Sequence, residues 1–166
     1  GRLAPCVEVV SYVSSEILLP ARRLVRKRWP GVLDWGSVTS ISEEIVQKFC
    51  AHMMNLADLI IIGAGSPCQD LSNLKAFRKG LEGNQSVLFF DVPRVINLFR
   101  KHAKQPVEFF VDNVFSMASA EIPKFTDALG VRPVMIDAKC FSDAERRRLY
   151  WASWQVQADQ HVAIVS

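Results

Sequence analysis

The stretch Leu59-Ile60-Ile61-Ile62-Gly63-Ala64-Gly65-Ser66-Pro67-Cys68 joins a continuous apolar run to a glycine-rich turn. An apolar run bounded by turn residues predicts a strand that is buried on both faces of a parallel sheet. The glycines allow a sharp turn, and Pro67 restrains the backbone just before the thiol of Cys68. Residues 63–86 are rich in Gly, Ser and Asn. This composition predicts a long loop that is functional or mobile.

Outward from this strand, short β-rich runs alternate with segments of helical spacing. Ser40, with Glu43 three residues later, fits a capping box at the start of a helix that ends near Met54. Gly130 is expected to end a further helix. The other predicted elements are strands at residues 7–13, 107–111, 134–136 and 149–151, and helices at residues 20–28, 87–102 and 120–129. The alternation predicts an α/β fold with a mainly parallel sheet.

The composition of the 166 residues is that of one domain with a packed core, since 49% are hydrophobic. The net charge of +3 at pH 7 permits a nucleic-acid partner without requiring one. The four cysteines are far apart and the histidines number three, so neither a disulfide framework nor a metal site is expected. A reducing, intracellular setting fits this cysteine usage. No apolar run reaches the roughly 18–20 residues of a membrane span and no signal peptide is evident, so no membrane partner is expected.

Cys68 is a candidate nucleophile, because a thiol at the carboxyl end of a strand can ionise near a helix N-terminus or near cations. A free cysteine is more often a small buried apolar residue, so its position alone leaves both roles open. The glycines do not form a dinucleotide-binding fingerprint, since Cys68 stands where the third glycine would be.

Polar residues also follow two other predicted strands. Asp112-Asn113-Val114 could orient a heterocycle through hydrogen bonds, or it could form a helix cap or an Asx turn. Three consecutive arginines, Arg146-Arg147-Arg148, run into the aromatic strand at residues 149–151. Such a run is usually a solvated face. In an extended chain, however, Arg146 and Arg148 share one side and could together hold a carboxylate or a phosphate.

The order of these motifs resembles that of the cytosine-5 DNA methyltransferases, and within that family it is most similar to the de novo type found in animals. The resemblance extends from about Val10 to Trp154. It rests on residues 65–73, 78–81, 88–90, 113–114 with Met117, 133–139 and 146–151.

The resemblance implies transfer of a methyl group from S-adenosyl-L-methionine to carbon 5 of cytosine in double-stranded DNA, with the target base flipped out of the duplex. Cys68 would add to carbon 6 of the ring, and Asp112 would hydrogen-bond the cytosine edge. Arg146 and Arg148 would hold the base and the active-site groups. No metal is implied. The implied cofactor contacts are Glu16 with the ribose hydroxyls, Ser37 and Val38 with the adenine, and Leu88 in the pocket wall.

The fold implied by the resemblance is a Rossmann-like methyltransferase core with helices on both faces of the sheet. The family's first strand and its Phe-x-Gly-x-Gly loop would precede residue 1, and the recognition region would follow Trp154. Residues 1–166 are therefore expected to be the middle part of one catalytic domain. The same resemblance implies a nuclear location in a eukaryote, and association with a second copy or with related methyltransferase chains.

Two positions depart from the family pattern. Asp112 replaces a glutamate, which shortens the side chain by roughly 1.5 Å. Ser37 replaces an aspartate that would bind the adenine amino group. These departures leave open a second interpretation, in which the chain is a catalytically inactive regulatory paralogue or a fragment that acts as a binding module. A third interpretation is an RNA cytosine-5 methyltransferase, although residues 65–68 and 78–81 match the DNA branch.

Overall fold

The computed structural model describes residues 8–65, 89–140, 142–156 and 162–164. Helices and strands alternate as far as residue 137, as the sequence predicts, and two further strands follow with no described α-helix between them. The strands are β1 (Val13–Ser14), β2 (Leu33–Asp34), β3 (Ile60–Gly65), β4 (Val107–Val114), β5 (Pro133–Asp137), β6 (Arg147–Ala152) and β7 (Val162–Ile164). The helices are α1 (Leu19–Arg28), α2 (Glu43–Met53), α3 (Asp91–His102) and α4 (Glu121–Leu129).

The strands form two sheets. The larger has the order β3-β4-β6-β5-β7, and the smaller consists of β1 and β2. Strands β3 and β4 are parallel, as are β1 and β2, but β6 is antiparallel to both β4 and β5, and β7 is antiparallel to β5. The expectation of a mainly parallel sheet is therefore wrong, although the α/β class is confirmed. The cause is the short connection from β5 to β6, which lacks the dozen or so residues of a crossover and must form an antiparallel pair.

The core lies between one face of the larger sheet and helices α2, α3 and α4. In β4 and β6 the alternate residues Phe109, Val111, Leu149 and Trp151 are at most 1% exposed. They pack with Ile96 of α3 and with Phe125 and Leu129 of α4. A second cluster joins Val46 and Cys50 of α2 to Val95 and Phe99 of α3, with Ile60 and Ile62 of β3 against it. Burial raises the pKa of the Cys50 thiol.

Strand β3 is not buried on both faces, which corrects the expectation drawn from its apolar run. Ile60 and Ile62 face the core, whereas Ile61 is 58% exposed. Within the described residues β3 is the edge of its sheet, with β4 as its neighbour. A covering of this opposite face by further helices stays a prediction.

The helix ends follow the local sequence with one correction. Helix α2 is capped by Ser42, whose hydroxyl accepts a hydrogen bond from the amide of Ile45 at 3.3 Å. Ser40, the expected cap, instead ends a short 3₁₀ turn, Val38–Ser40. Helix α4 ends as predicted at Gly130, which has the left-handed φ of 71° that glycine adopts without strain.

Candidate active site

The carboxyl ends of β1 and β2 are adjacent because the two strands are parallel. The hydroxyl of Ser15, after β1, donates to the carbonyl of Gly36, after β2, at 2.9 Å. Gly36 has a φ of 67°, and its amide donates to Oδ1 of Asp34 at 3.0 Å. The two loops are therefore held together beyond the carboxyl ends of β1 and β2, which is where ligands of open α/β sheets bind.

Glu16 and Ser37 lie in these two loops, and both side chains are fixed by local hydrogen bonds. Oε1 of Glu16 accepts from the amides of Ile17 and Leu18, each at 2.8 Å, at the beginning of α1. The hydroxyl of Ser37 caps the 3₁₀ turn by accepting from the amide of Thr39 at 3.3 Å. The structure thus places three of the predicted cofactor residues, Glu16, Ser37 and Val38, on neighbouring segments of the chain.

Asp112 and Arg148 form an ion pair on the face of the larger sheet opposite the core. Asp112 lies across from Gly65 in β3 and across from Tyr150 in β6. Arg148 is its diagonal neighbour, and one of its terminal nitrogens donates to Oδ2 of Asp112 in a short contact. The side chains are 16% exposed for Arg148 and 25% for Asp112, so solvent screens this pair only in part.

Two glycines in β3 leave room for the side chains of β4 on this face. A Cβ at Gly63 would lie 2.7 Å from the ring of Phe110, which is closer than atoms can approach. A Cβ at Gly65 would lie 3.1 Å from Oδ1 of Asp112. Oδ1 of Asp112 therefore faces the backbone of the strand that leads to Cys68, while Arg148 holds Oδ2.

The other arginines of the run have separate positions. Arg146 precedes β6, and its side chain is exposed; in the described part of the chain it forms no ion pair with Asp112. Arg147 pairs with Oδ2 of Asp137 at 3.3 Å. The carboxylate of Asp137 also accepts from the amides of Lys139 and Arg146, at 3.1 and 3.0 Å. These contacts, the Lys139 amide first, hold the pKa of Asp137 below its usual range and close the β5–β6 connection.

The predicted site residues are thus only partly assembled in the described structure. Asp112 and Arg148 come together, whereas Cys68 and Leu88 lie outside the described residues. Asp112 and Asn113 belong to β4 rather than to a cap after it. Asn113 is fully buried, and its side-chain oxygen accepts from the amide of Val114 at 2.7 Å. Partly buried and fully buried residues alternate in β4 as far as Val114, as expected for a continuous strand.

Among the described residues, no group of three or more His, Cys, Asp or Glu side chains could hold a metal ion. None of the helices described is both long and apolar enough to cross a membrane.

The fold and the site define an α/β domain with polar loops after parallel strands and a carboxylate–guanidinium pair beside a strand that contains two glycines. Residues 6–128, more than half of the chain, match the C-5 cytosine-specific DNA methylase family. The chain belongs to this family, which is built on the fold of S-adenosyl-L-methionine-dependent methyltransferases.

Two bacterial relatives illustrate the likeness. The type II methyltransferases M.NgoBV of Neisseria gonorrhoeae and M.NlaIV of Neisseria lactamica are each 27% identical to this chain over 143 residues. The aligned region is 86% of this chain and 29% of each relative. The chain therefore spans less than a third of the length of these relatives.

Proposed function

We propose that residues 1–166 are the central part of the catalytic domain of a DNA (cytosine-5-)-methyltransferase. The reaction is methyl transfer from S-adenosyl-L-methionine to carbon 5 of a cytosine in double-stranded DNA. The observation that carries the proposal is the Asp112–Arg148 pair, which lies beside Gly65 in a chain of this family. Gly65 is only three residues before Cys68 in the sequence.

In the proposed reaction the Cys68 thiolate adds to carbon 6 of the flipped cytosine, and the electron pair of the C5–C6 double bond becomes available at carbon 5. S-adenosyl-L-methionine, when bound, supplies the methyl group as an electrophile. Loss of the proton from carbon 5 and of Cys68 from carbon 6 then restores the aromatic base. The target must leave the duplex, because a stacked base offers no access to carbon 6.

Asp112 is proposed to hydrogen-bond the edge of the base and to stabilise the activated ring. Because Arg148 occupies Oδ2 of Asp112, the oxygen available to the base is Oδ1, which faces Gly65. A charge-assisted contact of this kind also fixes the orientation of the carboxylate. Arg146, exposed before β6, is proposed to contact the target base or the phosphates next to it when DNA is bound.

The cofactor is proposed to bind across the loops after β1 and β2, with Leu88 in the wall of the pocket. Glu16 would hold the ribose hydroxyls, while Ser37 and Val38 would contact the adenine. The fixed side chains of Glu16 and Ser37 support this assignment, because a preorganised site loses less entropy on binding.

The finer assignment is an animal-type de novo enzyme. The motif matches at residues 65–73 and 133–139 support it. Such an enzyme would methylate unmethylated and hemimethylated duplexes at similar rates, would act in the nucleus, and would associate with itself or with related methyltransferase chains. A strong preference for hemimethylated DNA in a methyl-transfer assay would contradict it.

Covalent trapping tests the proposed reaction directly. The chain, expressed with its natural flanking sequence, is expected to form a stable adduct with duplex DNA that contains 5-fluorocytosine, because fluorine cannot leave carbon 5 as the proton does. Cys68→Ser should form none, whereas Cys6→Ser, the same change elsewhere in the chain, should trap normally. Equal trapping by Cys68→Ser would overturn the assignment of the nucleophile.

The length of the acid at residue 112 provides a second test. Asp112→Glu is expected to raise turnover, since a misplacement near 1 Å costs about 10²-fold in rate. Asp112→Asn should lower it, and Asp127→Glu on the exposed side of α4 should leave it unchanged. Equal or lower turnover for Asp112→Glu would show that the pocket is adapted to the shorter acid.

The departures at Ser37 and Asp112 favour one alternative, a catalytically inactive binding module of the same family. That alternative predicts DNA or protein binding without a trapped adduct. Trapping with 5-fluorocytosine RNA instead of DNA would favour the RNA branch.

A further inference from the structure

Arg94 of α3 joins three groups that belong to different parts of the chain. Its two terminal nitrogens donate to the carbonyls of Ile41 at 2.6 Å and Val38 at 2.9 Å. Its Nε donates to Oδ1 of Asp91 at 2.8 Å, one turn earlier in the same helix. The two carbonyls bracket the 3₁₀ turn Val38–Ser40, so a single guanidinium holds this turn against α3.

The chemistry of the contact suits arginine and not lysine. The carbonyl of Val38 already accepts from the amide of Ile41 within the turn, but a carbonyl oxygen has a second lone pair that can accept from a guanidinium. A planar guanidinium can donate to two such carbonyls and to a carboxylate at once, whereas an ammonium is a point charge. Asp91 is 23% exposed and Arg94 is 38% exposed, so the cluster is only partly open to solvent. Hydrogen bonds that involve an ion are about twice as strong as those between neutral groups.

The position of the turn matters because it begins at two of the proposed cofactor residues and is held by Arg94. Ser37 and Val38 lie at the start of the turn, and Val38 also packs against the cluster of α2 and α3. Leu88, the proposed pocket wall, is three residues before Asp91 in the chain. The guanidinium therefore links the segment that follows β2 to α3.

We infer that Arg94 is a positioning residue, which sets the Ser37–Val38 turn at the distance from α3 that the adenine of the cofactor requires. The inference rests on the proposed function, since it concerns the same cofactor site. Arg94 does not itself touch the cofactor or the DNA; it acts through the main chain of Val38 and Ile41.

The experiment compares Arg94→Lys with Lys101→Met in the chain with its natural flanking sequence. Lys101 is a matched control, because it also links α3 to the beginning of α2, through Glu43 at 2.6 Å, but does not touch the turn. Arg94→Lys should raise the Kd and KM for S-adenosyl-L-methionine by about tenfold to a hundredfold, with a smaller change in kcat at saturating cofactor. The KM for DNA should stay within about twofold, since the Arg94 contacts hold only the cofactor side.

A second readout needs no activity. Hydrogen exchange of the Ser40 and Ile41 amides, whose partners are the carbonyls of Ser37 and Val38, should accelerate in Arg94→Lys but not in Lys101→Met. Asp91→Asn, which keeps the arginine, should give a smaller change of the same sign in both readouts.

The outcomes separate the two proposals. If the unaltered chain does not bind S-adenosyl-L-methionine, the proposed function fails. If it binds and Arg94→Lys binds equally well, the positioning role is wrong while the proposed function stands. A loss of cofactor affinity that is equal in Lys101→Met would show general destabilisation and would also overturn the inference.

Discussion

Apolar segments of similar composition form strands of different length and burial in the larger and the smaller sheet. Strand β4 lies between β3 and β6 and runs for eight residues, with Phe109, Val111 and Asn113 at most 1% exposed. Residues 7–13, predicted as a strand, are mostly apolar too, but the described strand β1 spans only Val13 and Ser14 and pairs with β2 alone among the described strands. Val9 and Val10, just before it, are 74% and 50% exposed. An apolar run therefore becomes a long buried strand only where neighbours on both sides supply hydrogen bonds and a covering layer.

The difference is sharpest at β3. Its core-facing residues are covered by α2 and α3, whereas Ile61 on the other face is 58% exposed and Leu59 is 44% exposed. In the fold that the family resemblance implies, a further strand lies between β1 and β3, and we propose that such a strand would account for both exposed regions.

The largest effect is expected from the proposed missing strand. Residues 1–166 alone should unfold without a sharp transition, aggregate, and bind S-adenosyl-L-methionine weakly, because unpaired strand edges promote association. Each buried backbone group left without a partner costs about 1–3 kcal/mol, against a total stability of about 5–15 kcal/mol.

The measurement is calorimetric titration and thermal unfolding, for residues 1–166 and for the chain with its natural flanking sequence. A micromolar Kd and a cooperative transition for residues 1–166 alone would contradict the proposal that a strand is missing from the sheet.

Matched leucines in the two sheets provide the next comparison. Leu149 of β6 is fully buried, so Leu149→Ala should lower the free energy of unfolding by about 2–5 kcal/mol. Leu33 of β2 is 44% exposed, and Leu33→Ala should change it by about 0.5 kcal/mol or less. Urea denaturation followed by circular dichroism measures both. Equal losses would show that the small sheet is part of the same cooperative core.

The close contact of Gly63 with Phe110 predicts a smaller loss. Gly63→Val should cost about 1–3 kcal/mol, because its side chain would overlap the Phe110 ring. Phe110→Ala in the same chain should recover part of that loss, as the ring would no longer be there. Gly31→Val is the control, since a Cβ at Gly31 meets no atom within 4 Å. Denaturation midpoints that fall equally for the two valine variants would exclude the overlap as the cause.

The smallest effect expected is on the stability of the protein at low pH. The side-chain hydrogen bond from Arg22 is the main cause that lowers the pKa of Asp34 below 3.8, and Arg26 contributes. A set of hydrogen bonds led by that from the Lys139 amide lowers the pKa of Asp137. A carboxylate with a lowered folded pKa stabilises the protein above its unfolded pKa. That stabilisation is lost as the pH falls below about 3.8 through the folded value.

The two acids should differ in what their loss affects. Asp137→Asn should reduce the pH dependence of global unfolding below about pH 3.8, because Asp137 closes the β5–β6 connection. Asp34→Asn should alter mainly the local hydrogen exchange of β2, since Asp34 joins α1 to the small sheet. If Asp34→Asn reduced the pH dependence of global unfolding as much as Asp137→Asn does, the expected difference between the two acids would be wrong.

Much of the local structure was determined by the sequence itself. The positions of α1 and α4, the stop at Gly130 and the strands around Val111, Met135 and Tyr150 depend on residue spacing and turn chemistry, which act over a few residues. The family could also be inferred from the order along the chain of the motifs that contain Cys68, Asp112 and Arg148.

Only the tertiary structure decided which of these residues meet. The separation of Arg148, bound to Asp112, from Arg146, which is exposed before β6, depends on the register between β4 and β6. The antiparallel direction of β6, the exposed face of β3 and the contact of Arg94 with Val38, 56 residues away, depend in the same way on strand pairing and packing. Spacing along the chain sets the periodicity of an element, but it carries no information about which distant backbone lies opposite. That choice is made by the burial of apolar faces and the pairing of backbone groups across the whole domain.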